Sequence, residues 1–70
     1  MTLKQLRIQA GMTGQQLADI AGTTEALISM MESGKRKMSA KTAFRLAPVF
    51  SMKWHELMEI VNGVENNDPN

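Results

Sequence analysis

Along this 70-residue chain the apolar positions recur at helical spacing, and capping residues and glycines interrupt them at short intervals. Leu3, Leu6 and Ala10 share one helical face. Thr2 stands before them with Gln5 in the capping-box position, and Gly11 supplies a stop. The same grammar repeats at once. Thr13 pairs with Gln16, Leu17, Ala18 and Ala21 make an inward stripe, and Gly22 ends it. Thr24 then caps a third helix that buries Ile28 and Met31 and ends at Gly34. Ser39 caps a fourth, with Ala40, Ala43, Leu46 and Ala47 inward. Pro48 removes an N–H and disfavours helical geometry at Ala47, so the end of that helix should be kinked or shortened. A fifth helix is expected from about Lys53 to Val61, with Trp54, Leu57, Met58 and Val61 on one face and Gly63 as its stop. Alternating apolar and polar residues never run far enough to make a strand. The pattern predicts an all-α fold of five short helices in one domain over residues 1–63. The polar end, residues 64–70, reads as a flexible tail.

Composition removes several classes of function. With no cysteine there is no disulfide, and with one histidine there is no His/Cys zinc site. There is no apolar run long enough to span a bilayer and no signal-peptide pattern, so a soluble, cytoplasmic protein with no membrane partner is expected. His55 has no Ser or Cys nucleophile pattern around it. No phosphate-cradling glycine motif and no carboxylate pair in a cleft is visible. The chain therefore reads as no enzyme, without metal or cofactor. Of its seven methionines, Met12, Met31, Met38, Met52 and Met58 are suited to fill a core in which Ala40 and Ala43 leave space.

Charge adds a direction. The net charge is only +1, but every charged residue between Gly34 and Trp54 is basic: Lys35, Arg36, Lys37, Lys41, Arg45 and Lys53. Glu56, Glu59, Glu65 and Asp68 gather toward the C-terminus. A basic middle fits a phosphate-facing surface, and it equally fits a solvated helix face.

Four ordered stretches separate these readings: "LRIQAGMTGQQLA", then Gly22, then "TTEALISMMESGKRK", then "LAPVFSMKWHEL". Together they resemble the phage-repressor/Cro-like (XRE-type) helix-turn-helix family over about residues 3 to 58. The resemblance implies a five-helix, lambda-repressor-like DNA-binding domain. Ala18 sits where two helices cross closely, and Gly22 takes the left-handed turn between them. Arg7 and Glu32 match positions that form a partly buried ion pair in the family. The resemblance also implies a docking mode on double-stranded DNA, with the helix at about 24–33 in the major groove. It assigns base contacts to Glu25, Ala26, Leu27, Ser29 and Met30. It assigns phosphate contacts to Thr13, Gly14, Gln15 and Thr24, and to Lys35, Arg36 and Lys37 in the loop after the third helix. The function it implies is that of a sequence-specific transcriptional regulator, a repressor above all.

Departures from the family pattern are informative. Gly14 stands where a Gln often reaches a phosphate, and it offers only backbone. The base-reading positions are poor in hydrogen-bonding groups. Glu25 can accept from a cytosine amino group, and Ala26, Leu27 and Met30 can meet thymine methyls. Ser51 replaces a frequent Gly and Lys53 a frequent capping residue, which should weaken the last turn. Leu27 and Met30, read as exposed apolar groups, leave an alternative open: a protein-interaction module on the same fold, an antitoxin or a partner-binding regulator. One recognition helix covers only about four base pairs, so a homodimer is expected. Phe44, Met52, Ile60 and Val64 form the candidate surface for it.

Overall fold

Local capping sets the element boundaries of this protein, for which a computed structural model describes residues 1–63. The elements are α1 (Leu3–Gln9), α2 (Gly14–Ala21), α3 (Glu25–Glu32), α4 (Ala40–Leu46), a 3₁₀ turn (Ala47–Phe50) and α5 (Trp54–Asn62), with no strand among the described residues. The tail at 64–70, and with it Val64 as part of a dimer surface, lies outside the described residues. Among the described residues no helix is long and apolar enough to cross a membrane.

Two reciprocal capping boxes start α1 and α2. The Thr2 N–H donates to Gln5 Oε1 at 2.8 Å, and the Gln5 N–H donates to Thr2 Oγ1 at 3.2 Å. Thr13 and Gln16 repeat the arrangement at 2.8 and 3.1 Å. Thr24 and Ser39 cap α3 and α4 by accepting from the N–H three residues on. Each bond satisfies an end group that would otherwise lack a partner, which contributes about 1 kcal/mol per cap.

The helices close around Leu3, Leu6, Leu17, Ala18, Ala21, Ile28, Met31, Met38, Ala43, Leu46, Ala47 and Leu57, all buried. Helix α2 packs against both α3 and α4, and α4 packs against α5. Met12, Met52 and Met58 close the edges of this core as half-buried side chains. Among the described residues no polar side chain is fully buried, so burial in the interior is purely apolar.

Five positions differ from the expected pattern. Helix α1 stops at Gln9, which leaves Ala10 as its exposed cap rather than part of the stripe. Ala40 is the first residue of α4 and faces solvent, and the inward stripe of that helix starts at Ala43. Trp54 opens α5 and remains 40% exposed instead of joining the buried stripe, and it shares two surface hollows with the 68%-exposed Phe44. Leu27 and Met30 are half-buried instead of exposed. Leu27 falls beside Ile28 on the flank of α3 and packs against the core.

Pro48 acts where its chemistry demands. The chain passes from α4 into the 3₁₀ turn at Ala47, and the turn closes with Met52 N–H to Ala47 O and Ser51 N–H to Pro48 O, each at 3.2 Å. Ser51 ends the turn in the left-handed region, at φ 55° and ψ 43°. For a residue with a Cβ that conformation costs about 1–2 kcal/mol. Lys53 has no side chain suited to capping, and its N–H is taken instead by Glu56 Oε1 at 3.1 Å.

Candidate nucleic-acid interface

The turn between α2 and α3 sets the geometry of the surface. Gly22 ends α2 at φ 72°, and the chain reverses with Thr23 N–H on Ala18 O at 2.9 Å. A side chain at Gly22 would be strained by the backbone and would also meet Arg45: a Cβ there would lie 2.5 Å from Arg45 Nη1. The Arg45 guanidinium donates to Ala21 O at 3.4 Å, placing a cation at the C-terminal, partly negative end of α2. Ala18 is fully buried in the same region.

Glu25, Ala26 and Ser29 of α3 are exposed and Met30 is half-buried. The Thr24 hydroxyl accepts from the Leu27 N–H at 3.2 Å, which leaves its own proton free to donate outward. Thr13, Gly14 and Gln15 lie at the start of α2. The capping box occupies the N–H groups of Thr13 and Gln16. Those of Gly14 and Gln15 have no hydrogen-bond partner among the described residues. This end of α2 is a donor-rich, partly positive surface. It borders a cavity of about 430 Å³ lined by Arg7, Met12, Thr13, Gly14, Glu25, Ile28, Ser29 and Glu32.

Arg7 and Glu32 close one end of that cavity. Arg7 Nε donates to Glu32 Oε2 at 2.6 Å, and Arg7 Nη1 donates to Met12 O at 3.1 Å. The side chains are 18% and 14% exposed. One guanidinium thus joins α1, the α1–α2 connection and the last residue of α3.

The basic loop leaves α3 through Gly34, at φ 82°, and is anchored at its start. The Lys35 and Arg36 N–H groups both donate to Met30 O, at 2.9 and 3.3 Å. Lys35, Arg36 and Lys37 are exposed. The far end of the loop is held by a residue that sequence reasoning missed. Asn62, the last residue of α5, accepts from the Met38 N–H at 2.6 Å and donates to Met38 O at 3.0 Å. The buried Met38 side chain adds an apolar anchor. Arg45 at the helix-turn-helix turn was missed as well. Its membership of the basic stretch was the only available signal, and Asn62 gave none.

The structure therefore brings together Arg7 with Glu32, and Gly14 with Glu25. It places the three basic loop residues on a backbone tied at both ends. It does not gather the dimer candidates as one exposed patch: Phe44 is exposed, while Met52 and Ile60 are half-buried and pack on the core.

Comparison with the curated proteins finds no match. A family model described as Helix-turn-helix matches residues 3–57, from the start of α1 into α5. With the capped α2, the left-handed Gly22, the α3 surface and the tethered basic loop in place, the chain belongs to the helix-turn-helix family of the Cro and phage-repressor type and is a DNA-binding transcriptional regulator.

Proposed function

We propose that this chain is a sequence-specific repressor, cytoplasmic and dimeric, that lays α3 in the major groove of an operator. The observations that carry the reading are the basic loop after α3, tied at both ends, and the unpaired N–H groups at the start of α2. Two separate elements, one before and one after α3 in the chain, thus offer cationic or donor groups near a helix with an exposed face. Phosphates would be held by Thr13, Gly14, Gln15 and Thr24 on one side and by Lys35, Arg36 and Lys37 on the other. Base edges would meet Glu25, Ala26, Ser29 and Met30, with Leu27 reaching only from the flank. No part of this role requires a catalytic group, a metal or a cofactor.

A second copy would bind through the Phe44 side of α4. Phe44 and Trp54 project there with Met52 beside them. Lys41 and Arg45 on α4 and Glu56 and Glu59 on α5 are all exposed, so a two-fold arrangement can set the bases of one copy against the acids of the other. The protein-interaction alternative loses its main support, because Leu27 contributes to the core instead of standing free.

Selection of bound duplexes from a randomised library at near-physiological salt tests the reading. Recovery of an inverted repeat with half-sites about ten base pairs apart is expected. Recovery of nothing above background would overturn it. Lys35→Ala and Lys37→Ala should each weaken binding to all recovered duplexes alike and lower the salt slope by about one. An unchanged slope would mean that the loop does not touch phosphate.

A further inference from the structure

Glu25 is the residue that the DNA-binding role explains least, and its position is unusual. It is the first residue of α3, yet its side chain lies back across the start of α2. A Cβ built on Gly14 would stand 3.3 Å from Glu25 Oε2 and 3.4 Å from Glu25 Cγ. A side chain at position 14 would crowd that placement and ask the carboxylate to give by a few tenths of an ångström. Glu25 and Gly14 line the same cavity. The carboxylate makes no hydrogen bond to the Gly14 or Gln15 N–H groups and no ion pair among the described residues. It therefore stands as an unneutralised negative charge where the dipole of α2 and two unpaired donors favour an anion.

We propose that Glu25 is a built-in competitor for the DNA phosphate at the start of α2, and that its displacement makes binding conditional on sequence. The proposal rests on the DNA-binding reading and deepens it. With Glu25 over Gly14, an approaching phosphate meets a like charge, so duplexes of arbitrary sequence are held weakly. For the phosphate to seat, the carboxylate must swing off Gly14 and out toward the groove. It then needs a donor. A cytosine amino group in the major groove supplies one, whereas guanine offers only acceptors there. A matching base therefore recovers what the displacement costs, and a mismatched base leaves the charge unpartnered beside the groove. One side chain thus both lowers non-specific affinity and reads a base. Gly14 lets the carboxylate approach the start of α2 without crowding.

The test compares wild type with Glu25→Gln, which keeps the shape and removes the charge. Two probes are used: a random-sequence duplex titrated over a range of salt, and inorganic phosphate followed at the Gly14 and Gln15 backbone amides by NMR. For Glu25→Gln the random duplex should bind about three- to tenfold tighter, with a salt slope larger by about one. Preference for duplexes selected by the wild type over random ones should shrink by a similar factor. Inorganic phosphate should shift the Gly14 and Gln15 amides at lower concentration in Glu25→Gln than in the wild type. If wild type and Glu25→Gln bind random duplex equally and respond equally to phosphate, the competitor role is overturned while the DNA-binding reading stands. If neither binds any duplex at low salt, the DNA-binding reading fails, and the competitor role fails with it.

Discussion

Leu17→Ala should lower the stability of the domain by about 2–5 kcal/mol, most of what so small a protein holds. Leu17 is completely buried, on the helix that packs against both α3 and α4. Truncating it removes apolar surface and leaves a cavity between packed helices. A domain with 63 described residues is stabilised by only about 3–9 kcal/mol in total. The melting temperature should fall by about 10 °C or more, and the urea midpoint should drop without a change in slope. A fall of only a few degrees would mean that α2 is not the centre of the core. DNA binding should fall in proportion to the unfolded fraction, so at low temperature the variant should recover much of its affinity.

Arg7→Met should separate stability from geometry. It removes the guanidinium and leaves Glu32, 14% exposed, without its cation. An uncompensated charge in that position should cost about 1–3 kcal/mol, less than for a fully buried pair. The double variant Arg7→Met, Glu32→Leu removes both charges and should regain most of the stability, since a partly buried ion pair adds little beyond an apolar contact. Its affinity for selected duplexes should nevertheless stay low. Arg7 also holds Met12 O, so its loss frees the α1–α2 connection and α3 to shift relative to each other. Denaturant unfolding and duplex binding, measured on the three proteins, check this. A double variant with wild-type stability and wild-type affinity would show that the pair does not set the position of α3.

These two effects act through different terms. Leu17 contributes by area removed from water and by close packing, which have no direction. Arg7 contributes by a directed contact of charged groups that fixes how two helices meet. The first decides whether the domain exists, and the second decides what surface it presents. Glu25 acts on neither. It changes the charge of a surface that the other two have already built.

The sequence by itself determined the helices and most of their ends. Thr2, Thr13, Thr24 and Ser39 each bond to the N–H three residues on, and a bond of that span depends on nothing beyond the local chain. Gly22 and Pro48 likewise act through their own backbone restrictions, so the turn and the shortened end of α4 were legible without a partner in view. The family pattern also pointed to Arg7 with Glu32 and to the basic loop. Only the tertiary structure decided where borderline residues face. Ala10, Ala40 and Trp54 sit at helix ends, where periodicity is weakest and the neighbouring elements choose inside or outside. Leu27 sits at the margin of the apolar stripe, and it was drawn in because the core could use its side chain. The contacts of Arg45 with the turn, of Asn62 with Met38 and of Glu25 with Gly14 join residues on different elements. Spacing along the chain carries no information about such meetings. They arise from the angles at which the helices pack, and those angles are set by all the core side chains at once.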